Sequence, residues 1–276
     1  MVSSPTKFYL EDDFDPKQFQ EQYLSDKTNL SADFLDFPMT NLTKTFSEGK
    51  IKGHTLLDIS VGTMVCQLLP ACDHFENIIV LKSRDKYITE LKRWANSPTG
   101  LLDWGHLAKP YVDTEGKSEN FQKKEEKVRS AAQHVMKIDL EKENIVEPMV
   151  LPQADAIISY RIPDVVSQEE KDYRKLVRKF QNYLKPGGII IIVGDLDNTH
   201  YTVGKDKFHA LNYNEDFVKK ALVGGGFVVD HSEVKKRTAV SDLTDYKAVM
   251  FTFFSLLSDF ESHIQIWKMV VSHNKH

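Results

Sequence analysis

The stretch Thr55-Leu-Leu-Asp-Ile-Ser-Val-Gly-Thr-Met64 decides the fold of this chain. Apolar residues lead to an acidic residue, Asp58, and then to a turn of small residues that contains Gly62. The apolar spacing that follows predicts a helix over residues 63–71. Strand, turn and helix in this order are typical of the first unit of a doubly wound sheet, where the turn approaches a bound nucleotide. Such turns use several glycines so that the backbone can contact the ligand, and this one retains only Gly62.

The composition is that of an ordinary soluble chain, with 276 residues, 41% hydrophobic and 28% charged. A net charge of −4 gives no basic field for nucleic acid. No apolar run is long enough to span a membrane, and the N-terminus lacks the layout of a signal peptide, so we expect a cytoplasmic protein. Cys66 and Cys72 lie near the predicted first helix, where their spacing does not suit a disulfide, and are expected to be buried thiols in a reducing compartment.

Helical patterns alternate with short apolar runs, which predicts an α/β fold with a mostly parallel sheet. The predicted strands lie near residues 55–59, 77–81, 134–140, 154–160, 189–193, 227–229 and 248–257. Further helices are predicted near residues 87–96, 117–133, 169–183 and 214–223, and a polar loop after Asp103-Trp104. We expect one domain over residues 1–276, with residues 260–276 as a C-terminal extension. Residues 1–50 form a helical lead-in, in which Asp15 is the N-cap of the first helix and a second helix covers about 33–47.

Several short motifs occur along the chain in the order known from one enzyme family. They are Phe14-Asp-Pro16, Leu57-Asp58-Ile59, Gln67-Leu-Leu69 with Ala71-Cys72, Leu91 to Trp94, Asp103-Trp104, Leu184-Lys-Pro-Gly-Gly188, and Gly204 with Lys207-Phe208. Together they resemble the nicotinamide, phenylethanolamine and indolethylamine N-methyltransferase family, which uses S-adenosylmethionine, over residues 8–257. The resemblance implies a Rossmann-like seven-stranded sheet with helices on both faces, an antiparallel last strand and a helical N-terminal lid. It also implies a ligand crevice at the carboxyl ends of the strands.

The resemblance further implies which residues would hold the cofactor. Retained residue types are found at Tyr23, Asp58, Gly62 and Asp139, of which Asp139 would meet the adenine amino group. Altered types are found at Phe19, Leu24, Ser60, Lys82 and Tyr87. Ser60 stands where the family has a glycine, so its β-carbon is expected to obstruct the ligand or strain the turn. The alternative is that Ser60 tolerates the conformation with modest strain.

Lys82 is the most telling of these differences. The resemblance places an acidic residue here, whose carboxylate accepts both ribose hydroxyls, whereas a lysine ammonium has no acceptor. Losing two hydrogen bonds to a charged group, at about 1.5–3 kcal/mol each, weakens binding by roughly a hundredfold or more. Asp85 could replace the missing acceptor only through a slip in register.

The resemblance also implies a substrate pocket. Asp195, after the fifth strand, corresponds to the carboxylate that faces a substrate nitrogen, although a residue at a strand end can also be a solvated side chain or a cap. Asp164 and Tyr201 align with other pocket positions. Beside Asp164, Tyr160 and Arg161 replace smaller or apolar residues.

These differences predict a pseudoenzyme that has lost S-adenosylmethionine binding and catalysis. No cofactor is expected, and the old cleft would hold a different small molecule, or the protein would have a structural or interaction role. The alternative is an active S-adenosylmethionine-dependent N-methyltransferase of small amines or pyridines, in which Asp195 orients the substrate. We expect no nucleic acid or membrane partner, and no metal, because the ten histidines show no ligand spacing. The oligomeric state does not follow from the sequence.

Overall fold

The computed structural model describes residues 6–97, 103–113 and 118–258, in which strands alternate with helices. The strands are β1 (Gly53–Asp58), β2 (Phe75–Lys82), β3 (Met136–Lys137), β4 (Ala154–Tyr160), β5 (Leu184–Leu196), β6 (His200–Val203), β7 (Asp206–His209), β8 (Phe227–Lys236) and β9 (Ala248–Leu256). The α-helices are α1 (Pro16–Phe19), α2 (Phe37–Ser47), α3 (Asp85–Asn96), α4 (Trp104–Val112), α5 (Ser118–Gln133), α6 (Ile162–Val166), α7 (Glu170–Asn182) and α8 (Glu215–Gly224). The predicted C-terminal extension, residues 260–276, lies outside the described ranges.

Seven strands form one sheet in the order β3-β2-β1-β4-β5-β9-β8. The strands from β1 to β5 pair in parallel, and β9 runs antiparallel to both β5 and β8. Central residues such as Ile157 and Ile191 are fully buried, as expected for a parallel sheet covered on both faces. The predicted Rossmann-like sheet with an antiparallel last strand is therefore confirmed. The strand order reverses between β1 and β4, and ligands of such folds bind at the carboxyl ends of the strands beside this point.

The N-terminal lead-in covers this end of the sheet. The Asp15 carboxylate caps α1 by accepting two backbone N–H groups of its first turn, as predicted. A turn of π-helical hydrogen bonding, Gln20–Leu24, continues α1, and a second one, Ala32–Asp36, leads into α2. Both predicted lead-in helices are thus present, each extended by a wider turn of the kind often found at functional sites.

The predicted helix over residues 63–71 is wrong. The chain instead forms two single 3₁₀ turns, Cys66–Leu68 and Cys72–His74. Both cysteines are free and buried, as predicted.

The reason lies at the carbonyl oxygen of Met64. It accepts hydrogen bonds from the side-chain amide of Gln67, at 3.1 Å, and from the ammonium of Lys82, at 3.0 Å. An α-helix would use this carbonyl for the N–H of Leu68, which donates to Val65 instead. Two side chains therefore occupy the acceptor that would have started the helix.

Four other regions differ from the predictions. The loop predicted after Asp103 is the helix α4, because the Asp103 carboxylate caps it by accepting the N–H of His106 at 2.9 Å. The strand predicted at 134–140 is only the two-residue edge strand β3, which pairs with β2 alone. The hairpin of β6 and β7 and the short helix α6 were not predicted.

Candidate functional site

Lys82 and Asp58 form a buried ion pair at the carboxyl ends of β2 and β1. The Lys82 side chain is 1% exposed, and its Nζ donates to Asp58 Oδ2 (3.2 Å), Ser60 O (2.9 Å) and Met64 O (3.0 Å). An ammonium group has three N–H donors, so each finds an acceptor, one at the end of β1 and two in the loop that follows. Burial lowers the pKa of Lys82 from its usual value, and the neighbouring carboxylate opposes that shift.

The second carboxylate oxygen of Asp58 is also occupied by the protein. It accepts the hydroxyl of Ser60 at 2.6 Å and the amide of Gln67 at 2.8 Å. Ser60 does not adopt a positive φ, so the predicted strain of the turn is wrong. Its hydroxyl instead satisfies a buried carboxylate.

Gly62 is the position in this turn that needs a glycine. Its φ is +54°, and a β-carbon there would lie 3.0 Å from Cε1 of Phe14. Its N–H donates to the hydroxyl of Tyr9 at 2.7 Å, and burial raises the pKa of Tyr9 to about 12. Side chains from the N-terminal segment therefore cover the turn that would approach a ligand.

Phe14 is the centre of a group of buried aromatic rings, which we name the aromatic lid. Its ring centroid lies 5.2–6.3 Å from those of the other members, which are Tyr9, Phe19, Tyr87, Tyr201 and Phe208. Three members of the aromatic lid were predicted at the cofactor or substrate site, namely Phe19, Tyr87 and Tyr201. Each of them contacts Phe14.

Tyr23, Leu24 and Asp139 were also predicted to contact the cofactor, and their surroundings in the structure differ. Tyr23 stacks on Phe19, and its hydroxyl lies 2.9 Å from the carbonyl of Thr202, so it binds the protein itself. Leu24 is fully buried. Asp139 is exposed, and its carboxylate accepts the N–H of Glu141 at 3.0 Å.

An open surface groove of about 370 Å³ is lined by Leu140 and Glu141, the two residues that follow Asp139 in the sequence. Its walls are the segment 8–11, Leu140 and one side of α7, from which Lys171, Lys175 and Lys179 line it. Lys179 is held against the floor by donating to the carbonyl of Leu140 at 2.6 Å.

The predicted substrate residue Asp195 is paired with a cation of the same chain. Its carboxylate forms an ion pair with Arg161, and both side chains are at least 93% buried. The guanidinium of Arg161 stacks on Phe34, with 3.6 Å between Cζ and the ring centroid. The negative charge of Asp195 is therefore paired with the positive charge of Arg161 inside the fold.

Asp164 forms the other side of this polar cluster. Its carboxylate accepts the backbone N–H of Asp195 at 2.8 Å and the hydroxyl of Tyr213. Burial, and then repulsion from the charge of Asp195, raises the pKa of Asp164 to about 7. Both causes favour the protonated form of this carboxyl group.

The predicted pocket residues Asp164, Asp195 and Tyr201 line one small cavity together with Arg161 and the apolar side chains of Phe19, Phe34, Val61, Val165 and Ala210. Its volume is about 10 Å³, which is room for about one water molecule.

Sequence reasoning missed what Arg161, Phe14 and Tyr9 do at this site. The signal for Arg161 was present: a cation directly follows the apolar strand β4, and a buried cation requires an anionic partner. Asp195 ends the neighbouring strand and is that partner. Nothing in the local sequence indicates that Phe14 and Tyr9 contact a turn some fifty residues away.

Within the described ranges, no helix is both long and apolar enough to cross a membrane. The same ranges contain no group of three or more His, Cys, Asp or Glu side chains that could hold a metal ion.

Solved structures with the same fold include two methyltransferases. An S-adenosylmethionine-dependent methyltransferase from Clostridium acetobutylicum aligns with a TM-score of 0.50 and 12% identity, covering 83% of this chain and 95% of that chain. The glycopeptide N-methyltransferase MtfA, solved in complex with S-adenosylmethionine, aligns with a TM-score of 0.50 and 12% identity, covering 80% and 94%. At this identity the likeness shows the fold alone.

Sequence comparison is more specific. Nicotinamide N-methyltransferase of Homo sapiens is 29% identical over 247 residues, which is 89% of this chain and 92% of that protein. Indolethylamine N-methyltransferase of Oryctolagus cuniculus is 31% identical over 219 residues, covering 79% and 83%. Phenylethanolamine N-methyltransferase of Homo sapiens is 32% identical over 191 residues, covering 68% and 67%. The NNMT/PNMT/TEMT family matches residues 4–255, and the chain belongs to that family.

Proposed function

We propose that this protein is a non-methylating member of its family, whose cofactor crevice is filled by its own side chains. The observation that carries the proposal is the position of the Lys82 ammonium, which donates to Asp58, Ser60 and Met64. S-adenosylmethionine brings a ribose diol that needs an acceptor, and it brings positive charge of its own. Lys82 offers no acceptor and adds a cation, so the residues present do not fit this cofactor.

The space beside the turn supports the same proposal. Ligand sites for molecules of this size typically have volumes of about 300–1,000 Å³. Here Phe14 lies against Gly62, and the cavity that Asp195 and Tyr201 line measures about 10 Å³. The groove of about 370 Å³ has a suitable volume, but neither Gly62 nor Lys82 lines it. A cofactor could contact the turn at Gly62 only after the aromatic lid had moved.

In this proposal the former site residues now stabilise the fold, and the protein has a structural or small-molecule-binding role. A cytoplasmic location is part of the proposal, and the two free, buried thiols are compatible with it. Localisation of the tagged full-length chain in cells tests that part.

The decisive experiment measures binding of S-adenosylmethionine and of its demethylated product by calorimetry and thermal shift. Human nicotinamide N-methyltransferase serves as the positive control at the same ligand concentrations. A ligand that binds only the folded state at a hundred times its Kd stabilises it by about 2.7 kcal/mol. We expect no heat and no shift for this protein. A shift that saturates at concentrations similar to those of the control would overturn the proposal.

The comparisons, taken by themselves, favour a second candidate, an active S-adenosylmethionine-dependent N-methyltransferase of a small amine or pyridine. Its relatives are N-methyltransferases of nicotinamide, indolethylamine and phenylethanolamine. Carboxylates at Asp58, Asp139 and Asp195 agree with the family pattern. For this function Asp195 would have to leave Arg161 before it could face a substrate nitrogen.

Transfer of a radiolabelled methyl group to nicotinamide, tryptamine and phenylethanolamine tests this candidate. It predicts turnover that Asp195→Asn abolishes and that the exposed control Asp216→Asn leaves unchanged. Absence of product with every amine, while the human enzyme is active in the same assay, would exclude it for those substrates.

A further inference from the structure

The guanidinium of Arg161 is buried, but only part of it is paired. Nη1 is in ion-pair contact with Asp195, and neither Nη1, Nε nor Nη2 has a hydrogen-bond partner among the described residues. The Arg161 residue is 3% exposed, so water does not satisfy these donors at the protein surface. Buried donors on a charged group without a partner are costly, which makes them an unusual feature of a folded protein.

The unpaired atoms have a specific geometry. The Nε–H and one Nη2–H of arginine point in the same direction from one edge of the planar group. That edge matches the two oxygens of a carboxylate in a bidentate pair. The other side of the guanidinium is occupied by Asp195, and its face by Phe34. The edge that is left over is therefore the one that recognises a planar oxyanion.

The surroundings complete a binding site. The hydroxyl of Tyr201, which lines the same cavity, also has no hydrogen-bond partner among the described residues and can donate to a carboxylate oxygen. Oδ1 of Asp195 has no such partner either, but as an acceptor it does not bind a carboxylate. Phe19 and Val61 supply apolar walls. Polar atoms at one end and apolar walls beside them suit a ligand with a charged head and an apolar body.

The backbone conformation of Arg161 also supports a ligand site. Its φ is +59°, a left-handed conformation that is strained for any residue other than glycine. The Arg161 N–H donates to the carbonyl of Val193 at 2.8 Å, which holds the residue at the end of β4 despite that strain. Strain of this kind is concentrated at ligand-binding positions in proteins.

We propose that the cavity beside Asp195 is a receptor for a small carboxylate with an apolar body, which the Nε/Nη2 edge of Arg161 grips in a bidentate pair. This rests on the proposed function, because a pocket that methylates an amine needs Asp195 free of Arg161. The cavity holds about one water molecule, so a ligand larger than formate binds a form in which Phe19 or Tyr201 has moved aside.

Thermal shift and calorimetry on the full chain test the proposal with the sodium salts of formate, acetate, benzoate and nicotinate. Sodium chloride keeps the ionic strength constant, and benzamide and benzylamine serve as neutral and cationic counterparts. We expect saturable stabilisation by at least one carboxylate and none by the amide or the amine. Stabilisation by benzylamine alone would overturn the proposal and favour the amine-methylating candidate.

Arg161→Lys provides the matched variant, because it keeps the charge but loses the planar edge. It should weaken carboxylate binding at least tenfold, whereas Arg178→Lys, at an exposed position on α7, should leave it unchanged. Tyr201→Phe removes only a hydroxyl and should weaken carboxylate binding severalfold. It replaces Arg161→Lys as the test variant if Arg161→Lys does not fold. Unchanged affinity in Arg161→Lys, or in Tyr201→Phe where it replaces that variant, would overturn the proposal.

A separate arm with S-adenosylmethionine distinguishes this inference from the proposed function. A null result with all carboxylates and with S-adenosylmethionine refutes the inference and leaves the proposed function standing. Saturable binding of S-adenosylmethionine refutes the proposed function whatever the carboxylates do.

Discussion

The ammonium of Lys82 lies 3.2 Å from the carboxylate of Asp58, and neither side chain is more than 1% exposed. Two charges this deeply buried are tolerated only when their remaining donors and acceptors are satisfied. Here the loop after β1 satisfies all of them, through Ser60, Met64 and Gln67. The donors and acceptors of the pair are thus bound by other parts of the chain.

We expect Lys82→Met to lower the free energy of unfolding by about 3–5 kcal/mol, because Asp58 would keep a buried charge without its partner. Urea denaturation at neutral pH measures this. The control is Lys86→Met, which removes a partly exposed pair with Asp13 and should cost at most about 1 kcal/mol. The double variant Asp58→Asn/Lys82→Met should recover part of the loss. Equal effects of the two single lysine variants would contradict the assigned role of the buried pair.

Gly62→Ala should destabilise the protein more than Gly49→Ala. Both glycines have positive φ, so each substitution carries backbone strain of about 1–3 kcal/mol. Only at Gly62 would the new β-carbon also meet a side chain, Phe14, whereas nothing lies within 4 Å at Gly49. Thermal unfolding of both variants tests this. A smaller loss at Gly62 would mean that Phe14 does not rest on the turn.

Asp164 should make stability depend on pH. Its pKa is raised to about 7 in the fold from an ordinary value of 3.8, so between these values the folded state binds more protons than the unfolded state. The free energy of unfolding should therefore fall as the pH rises from about 4 to about 7, by at most about 1.4 kcal/mol per pH unit. Asp164→Asn should remove this component, and Asp216→Asn should not. Identical slopes in the wild type and Asp164→Asn would refute the shift.

The two cysteines should be unreactive in the folded protein. Burial raises the pKa of both Cys66 and Cys72 to about 12, so little thiolate exists at neutral pH. A chromogenic disulfide reagent should label neither thiol under native conditions and both in concentrated guanidinium chloride. Rapid labelling of the native protein would show that this region opens.

Much of the sheet could be predicted from local sequence, because parallel strands buried on both faces appear as short apolar runs. Residues 154–160 were predicted as a strand and form β4. The turn after β1 could not be predicted in this way. Its missing helix depends on Lys82, which reaches the Met64 carbonyl from the next strand.

At the candidate site, the sequence singled out residues that lie together but not the partners that they bind. Asp164, Asp195 and Tyr201 line one cavity, as the resemblance implied. That Asp195 is paired with Arg161 depends on the register of β4 against β5, which places the N–H of Arg161 on the carbonyl of Val193. Such a pairing is a tertiary contact, which local patterns do not encode.

The three-way binding of Lys82 also determines how readily this position could accept an acidic residue. Replacing it by an aspartate would set a second carboxylate against Asp58 in a buried space and release the carbonyls of Ser60 and Met64. The single substitution Lys82→Asp should therefore destabilise the fold. An acidic residue could be accommodated here only together with changes at the residues that Lys82 now binds.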